Sequence, residues 1–143
     1  LALELALELT VGQPQRELVV LGPDRSDRLD HLIGALTALG HPSLAGFASV
    51  AAFLGTAEVA IVHPAHTVTL DLPSGRVVSV LALHGQCTGV EMTGARWALH
   101  DAVIEPASSL GVSNESLGAS IRITVAAGVL TVIIPHHEAE AER

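Results

Sequence analysis

The chain has no tyrosine and no lysine, and it carries one cysteine, one tryptophan and two phenylalanines. With so few rings, a core has to be built from Val, Leu, Ile and Ala, and apolar residues at 49% supply enough of them for a globular fold. A single cysteine excludes an internal disulfide and suits a reducing, cytoplasmic compartment. Cys87 has no neighbouring partner pattern for nucleophilic catalysis and reads as a small buried side chain. Zinc takes about four organised ligands, which Cys87 with the scattered His63, His66, His136 and His137 does not provide. No apolar run approaches the roughly 20 residues of a membrane-spanning helix, so no membrane partner is expected. Residues 1–9 are interrupted by Glu4 and Glu8, lack a basic leader and do not read as a signal peptide. Neither a P-loop nor a dinucleotide fingerprint is present. The seven basic residues are all arginine and face fifteen acidic ones, for a formal charge of −8. That balance argues against general nucleic-acid binding, which depends on phosphate neutralisation. A single nucleotide remains compatible, with Mg²⁺ and a few local arginines offsetting its charge.

The hydrophobic pattern divides the chain. Residues 1–9 have helical periodicity and are stopped by Gly12 and Pro14. Residues 17–21, Glu-Leu-Val-Val-Leu, form the continuous apolar run of a strand buried on both faces. Ser26 or Asp27 can cap a following helix that carries Leu29, Leu32, Ile33, Leu36 and Leu39 and ends at Gly40. Helix, buried strand and helix make a piece of a parallel α/β sheet. Residues 44–54 are small and apolar and fit either a short strand or a helical turn. From Ala57 the period is two, with candidate strands at 58–62, 67–72, 77–83, 89–93, 102–104, 120–126 and 129–134. Within residues 121–125 the apolar side chains point inward, and Arg122 and Thr124 outward. Many short strands with regular turns indicate an antiparallel β-sandwich. Beyond Pro135 a polar tail is expected to fray.

Chemistry concentrates between Cys87 and Glu115. Thr93-Gly94-Ala95-Arg96-Trp97-Ala98-Leu99 is followed by Ser109-Leu110-Gly111-Val112-Ser113-Asn114-Glu115. A large ring with hydroxyl, amide and carboxylate groups nearby suits a flat, cationic heteroaromatic ligand. Composition alone favours the plainer arrangement, a core tryptophan beside an ordinary turn.

The order of the pieces favours the ligand. Thr-Gly-(Leu or Ala)-(Lys or Arg)-Trp-x-Leu and then Ser-Leu-Gly-x-Ser-Asn-Glu resembles the thiamine-binding domain of thiamine pyrophosphokinases. Arg28-Leu29-Asp30-His31 resembles that family's Gly-Gly-Arg-x-Asp-His motif, and Leu3-Glu4-Leu5-Ala6-Leu7 resembles a helix further upstream. The resemblance implies an α+β chain. The remnant of a parallel α/β, ATP-binding catalytic domain would occupy residues 1–54, an antiparallel thiamine-binding β-sandwich residues 55–135, and a polar tail residues 136–143. It further implies transfer of pyrophosphate from ATP to the thiamine hydroxyl, giving thiamine diphosphate and AMP, with Mg²⁺ as cofactor, in a homodimer whose site lies between subunits.

Three features depart from the family. Its early Gly-Asp-x-Asp-Ser motif has no counterpart here, Leu1-Ala2 stands where a Thr-Asp pair is expected, and Ser26-Asp27 replaces Gly-Gly. The expectation is a truncated form, inactive alone; the alternative is a non-catalytic thiamine-binding or dimerisation module. On the resemblance, Arg28 and Asp30 are the catalytic candidates, Arg28 clamping phosphate and Asp30 holding Mg²⁺ or orienting the alcohol. Asp27 and Asp30 could equally do no more than complement the helix dipole, and His31 could simply pack. Trp97 is the thiamine platform, and Ser113 and Asn114 are its polar contacts; Trp97 and Ser113 can serve different copies of the site. Arg96 is assigned a salt bridge or dimer contact. Glu115 is left open between the aminopyrimidine and Arg96.

Overall fold

The computed structural model describes residues 2–13, 15–22 and 28–136. Helix α1 (Ala2–Leu9), strand β1 (Glu17–Leu21) and helix α2 (Leu29–Ala38) come first, then a 3-10 turn over Pro42–Gly46. Among the described residues, nine strands follow: β2 (Ser49–Leu54), β3 (Ala57–Val62), β4 (Val68–Leu70), β5 (Val77–Leu81), β6 (Cys87–Thr93), β7 (Leu99–Ile104), β8 (Asn114–Glu115), β9 (Ile121–Thr124) and β10 (Leu130–Pro135).

The strands form two sheets, one of six strands in the order β1-β2-β3-β10-β5-β8 and one of four in the order β4-β9-β6-β7. β1 runs parallel to β2, with Leu18 opposite Val50, and the remaining pairings are antiparallel. β2 turns through Gly55 straight into β3, so pairing continues from β1 into the strands that follow.

Period-two patterning makes the large sheet two-faced. Val62, Val78, Val80, Leu130, Val132 and Ile134 pack with Val90, Met92, Ile104, Ile121 and Ile123 of the small sheet in one core. Val50, Ala52, Val59 and Ile61 belong to a second core with Leu39, Leu44 and Phe47, against which Leu3, Leu7, Leu32 and Leu36 of the helices pack. In β9 the alternation holds as read: Ile121 and Ile123 are buried and Arg122 is exposed.

One expectation changes. β1 is not buried on both faces. It lies at the end of the large sheet; Leu18 and Val20 pack against the second core, while Val19 and Leu21 are 56% and 76% exposed. Strands with apolar packing on both faces are β3, where Val62 and Ala60 face one core and Val59 and Ile61 the other, and β10, where Leu130, Val132 and Ile134 face one core and Ile133 the other. Residues 44–54 hold both of the proposed alternatives. Pro42 opens the 3-10 turn, the His41 ring accepts a hydrogen bond from the Ser43 N–H at 3.2 Å, and β2 follows with alternating burial. The expected caps Ser26 and Asp27, as well as Leu1 and residues 137–143, lie outside the described residues.

Inside the fold, His63 is 2% exposed and its Nε2 has no partner; the same holds for Nε2 of His84 and Oγ1 of Thr131. Burial pushes the pKa of both imidazoles below its ordinary value, and for His63 the neighbouring His66 and His84 add to the effect. Cys87 is buried, which raises its thiol pKa.

Candidate ligand-binding site

The Thr-Gly-Ala-Arg-Trp stretch leaves β6 through Gly94, whose φ of +80° suits glycine. A Cβ at Gly94 would also collide with the Ser120 carbonyl, so the motif requires glycine twice over. The chain then runs alongside residues 115–117: Arg96 N–H donates to the Glu115 carbonyl at 2.8 Å, and Leu117 N–H to that of Gly94 at 3.2 Å. This pairing delivers Trp97 to the surface with 54% of its area exposed. The core reading of Trp97 is therefore set aside; methionine and aliphatic side chains fill the interior instead.

Beside the ring lies a cavity of about 540 Å³, walled by Trp97, Leu99 and Asn114 on one side and by the loop residues Ser108, Ser109, Leu110, Gly111 and Val112 on the other. The volume falls within the range of small-molecule sites. The loop is pinned from behind, because the Gly111 carbonyl accepts from Val80 N–H at 3.0 Å and Ser79 Oγ accepts from Ser113 N–H at 3.0 Å. Gly111 has φ +89°, and a Cβ there would meet Val80.

Of the polar candidates, Asn114 reaches the cavity wall but is 2% exposed, with its amide directed into the protein. Ser113 is exposed, has φ +58° and does not line the cavity. Sequence reasoning missed Ser108 and Ser109, whose hydroxyl-bearing turn falls at the head of the Ser-Leu-Gly motif. Ser108 Oγ accepts from Leu110 N–H at 3.1 Å, which shapes that turn. The alternatives for Glu115 resolve toward Arg96. The two form an ion pair at 3.2 Å, and the guanidinium carbon sits 5.6 Å from the centre of the Trp97 ring. The carboxylate thus offsets the positive charge nearest the ring.

Arg28 and Asp30 lie elsewhere, at the start of α2. They grip each other, Arg28 Nε and Nη2 donating to the two Asp30 carboxylate oxygens at 2.9 and 2.6 Å, on an exposed surface. The guanidinium holds the Asp30 carboxyl below its usual pKa, and Asp30 raises that of Arg28. Neither residue lines the Trp97 cavity. Among the described residues no three His, Cys, Asp or Glu side chains come together as a metal site. No helix among them is long and apolar enough to cross a membrane.

Residues 65–130 match the family described as "Thiamin pyrophosphokinase, vitamin B1 binding domain". The fold is similar to that of the thiamine pyrophosphokinase from Bacillus subtilis, with a TM-score of 0.77, 18% identity, and coverage of 94% of this chain and 62% of that one. For a thiamin pyrophosphokinase family protein from Enterococcus faecalis the values are 0.73, 16%, 96% and 63%. For the thiamin pyrophosphokinase from Geobacillus thermodenitrificans they are 0.69, 22%, 96% and 62%. The chain therefore spans a little over three fifths of the length of these relatives. No curated protein sequence matches it.

Proposed function

We propose, for a chain whose residues 65–130 carry the vitamin B1 binding domain of the thiamin pyrophosphokinase family, that the Trp97 cavity receives thiamine. The observation that carries this reading is the sole tryptophan, half exposed at the rim of a cavity with hydroxyl-bearing walls. Thiamine carries two flat rings, an aminopyrimidine and a cationic thiazolium, and an aromatic ring face rewards both flatness and positive charge. Leu99, Leu110 and Val112 supply apolar walls, Ser108 and Ser109 hydroxyls for its polar edge, and the Arg96–Glu115 pair leaves little net charge to repel it. Ser113 stays in this reading as a contact to thiamine held by a second copy of the chain, in a homodimer.

The activity in view is thiamine diphosphokinase, with ATP as pyrophosphoryl donor and Mg²⁺ accompanying it in a cytoplasmic enzyme. Pyrophosphoryl transfer relies on positioning and charge stabilisation more than on a strong base. Arg28 and Asp30, at the N-terminus of α2, are the groups this chain offers to phosphate. Their mutual ion pair favours a second reading as well, a thiamine-binding module without catalysis. An AMP-release assay with thiamine, ATP and Mg²⁺ puts the module reading at risk. Little turnover by the chain alone, together with thiamine binding, fits both a catalytic part that needs more protein and the module. Robust turnover eliminates the module. Light scattering tests the homodimer, and a monomeric mass at high micromolar concentration removes it.

A further inference from the structure

We propose that Asn114 is a positioning residue, which sets the Trp97 ring from behind rather than touching the ligand; this rests on the reading of the Trp97 cavity as a thiamine site. A primary amide has two N–H donors and two carbonyl lone pairs. At Asn114 all four are taken inside the protein. Oδ1 accepts from Trp97 N–H at 3.0 Å and from Glu115 N–H at 2.9 Å, while Nδ2 donates to the Trp97 carbonyl at 2.7 Å and to Met92 Sδ at 3.6 Å. The side chain thus closes a two-point ring on the backbone of Trp97, satisfying its N–H and its C=O together. No capacity remains for a ligand unless one of these bonds is given up, and a buried amide gives one up at a cost. The side chain is also 2% exposed, whereas the Trp97 residue it holds is 54% exposed.

Local geometry adds a reason for asparagine here. Ser113, with φ +58°, turns the chain so that Asn114 points inward between β6 and the Trp97 segment, where Met92 is fully buried. Leu or Met would fill the space but leave both polar groups of the Trp97 backbone without this partner. Asp would accept as Oδ1 does but, when ionised, would set an oxygen against the Trp97 carbonyl. The Ser-Asn and Arg-Trp motifs, 17 residues apart at their contact, are on this account one device.

Three readouts test it on Asn114→Ser and Asn114→Ala: fluorescence of Trp97 without ligand, thiamine affinity by calorimetry, and melting temperature. The expected result is a more mobile ring before any ligand is added, seen as lower anisotropy and stronger acrylamide quenching. Thiamine binding is expected to weaken by about ten-fold, the scale of losing well-made buried hydrogen bonds. In a Trp97→Ala background the Asn114 substitution should weaken thiamine binding no further, because the ring it positions is gone. Two results would overturn the proposal: an undiminished Asn114 effect in that background, which would mean direct contact, or an unchanged Trp97 signal in the ligand-free variants. If wild-type protein binds no thiamine, the site reading fails, while the ligand-free fluorescence still decides the role of Asn114. If neither variant folds, hydrogen exchange on the wild-type chain decides it: protected Trp97 backbone and Asn114 side-chain amide protons support the clamp, and unprotected ones refute it.

Discussion

Trp97 and the Arg28–Asp30 pair both stand exposed on the surface, but what lies behind them differs. Behind Trp97 are a saturated buried amide, a fully buried methionine and a loop bonded to Ser79 and Val80. Behind Arg28 and Asp30 is the first turn of a helix with no fully buried residue, and the two charges pair with each other on the surface. Exposure of a functional residue type is thus a poor mark of a site; rigid support beneath it is a better one, because a ligand then spends little free energy on ordering the protein. The same contrast runs through the layers. The core between the sheets is closed, whereas β1 and the helices leave Leu5, Leu9, Val19, Leu21 and Ile33 exposed.

The largest effect that could break this comparison is in the framework. Ile121→Ala, at a fully buried position between the sheets, should cost about 2–5 kcal/mol in a denaturant titration. Leu21→Ser on the exposed side of β1 should stay within about 0.5 kcal/mol. Equal losses would mean that the β1 layer is as closed as the sandwich. Next comes Trp97→Ala, expected to weaken thiamine binding by about 1–3 kcal/mol, with Trp97→Phe recovering part of it. Because the ring is half exposed, its removal should cost well under the ~3–5 kcal/mol of a buried aromatic in the same denaturant titration.

Acid sharpens the contrast. His63 and His84 have folded pKa values below the ordinary 6.5, so the unfolded chain takes up their protons first. Their contribution to stability is complete above about pH 6.5 and is lost as pH falls through the lower folded values. Asp30 is also depressed, from 3.8, so its pairing with Arg28 is present above that pH and lost only as pH falls through its folded value. Melting temperature should therefore begin to drop below about pH 6.5 while the Arg28–Asp30 pair is intact, and His63→Phe should flatten that slope. The smallest effect belongs to the pair itself. Arg28→Gln and Asp30→Asn should each leave the melting temperature nearly unchanged, as expected of an exposed ion pair, and leave thiamine affinity unaltered. A change in affinity would bring the two regions into one site.

The strands of the sandwich were legible because alternation survives in short segments: Ile121, Ile123 and Val125 on one face are enough to orient β9. What alternation does not encode is order within a sheet. The apolar runs of β1 and β10 look alike in sequence, and only pairing decides that one lies at an edge and the other in the middle. β8 was missed because its two residues, Asn114 and Glu115, are polar and read as loop. In the candidate site, Trp97 was legible as the single large ring in an ordered set of motifs. Ser108 and Ser109 were not, because their place depends on a loop folding back against β5. The clamp by Asn114 was hidden for a related reason, since residue type alone does not reveal whether an amide faces ligand or backbone.

The central claim, that the cavity beside Trp97 is a thiamine site, is tested most directly by titrating the wild-type chain with thiamine while following its only tryptophan. The account predicts a saturable change in Trp97 fluorescence, matched by calorimetric heat that Trp97→Ala sharply reduces while remaining folded. A flat signal and no heat at millimolar thiamine, from protein that melts cooperatively, would contradict it.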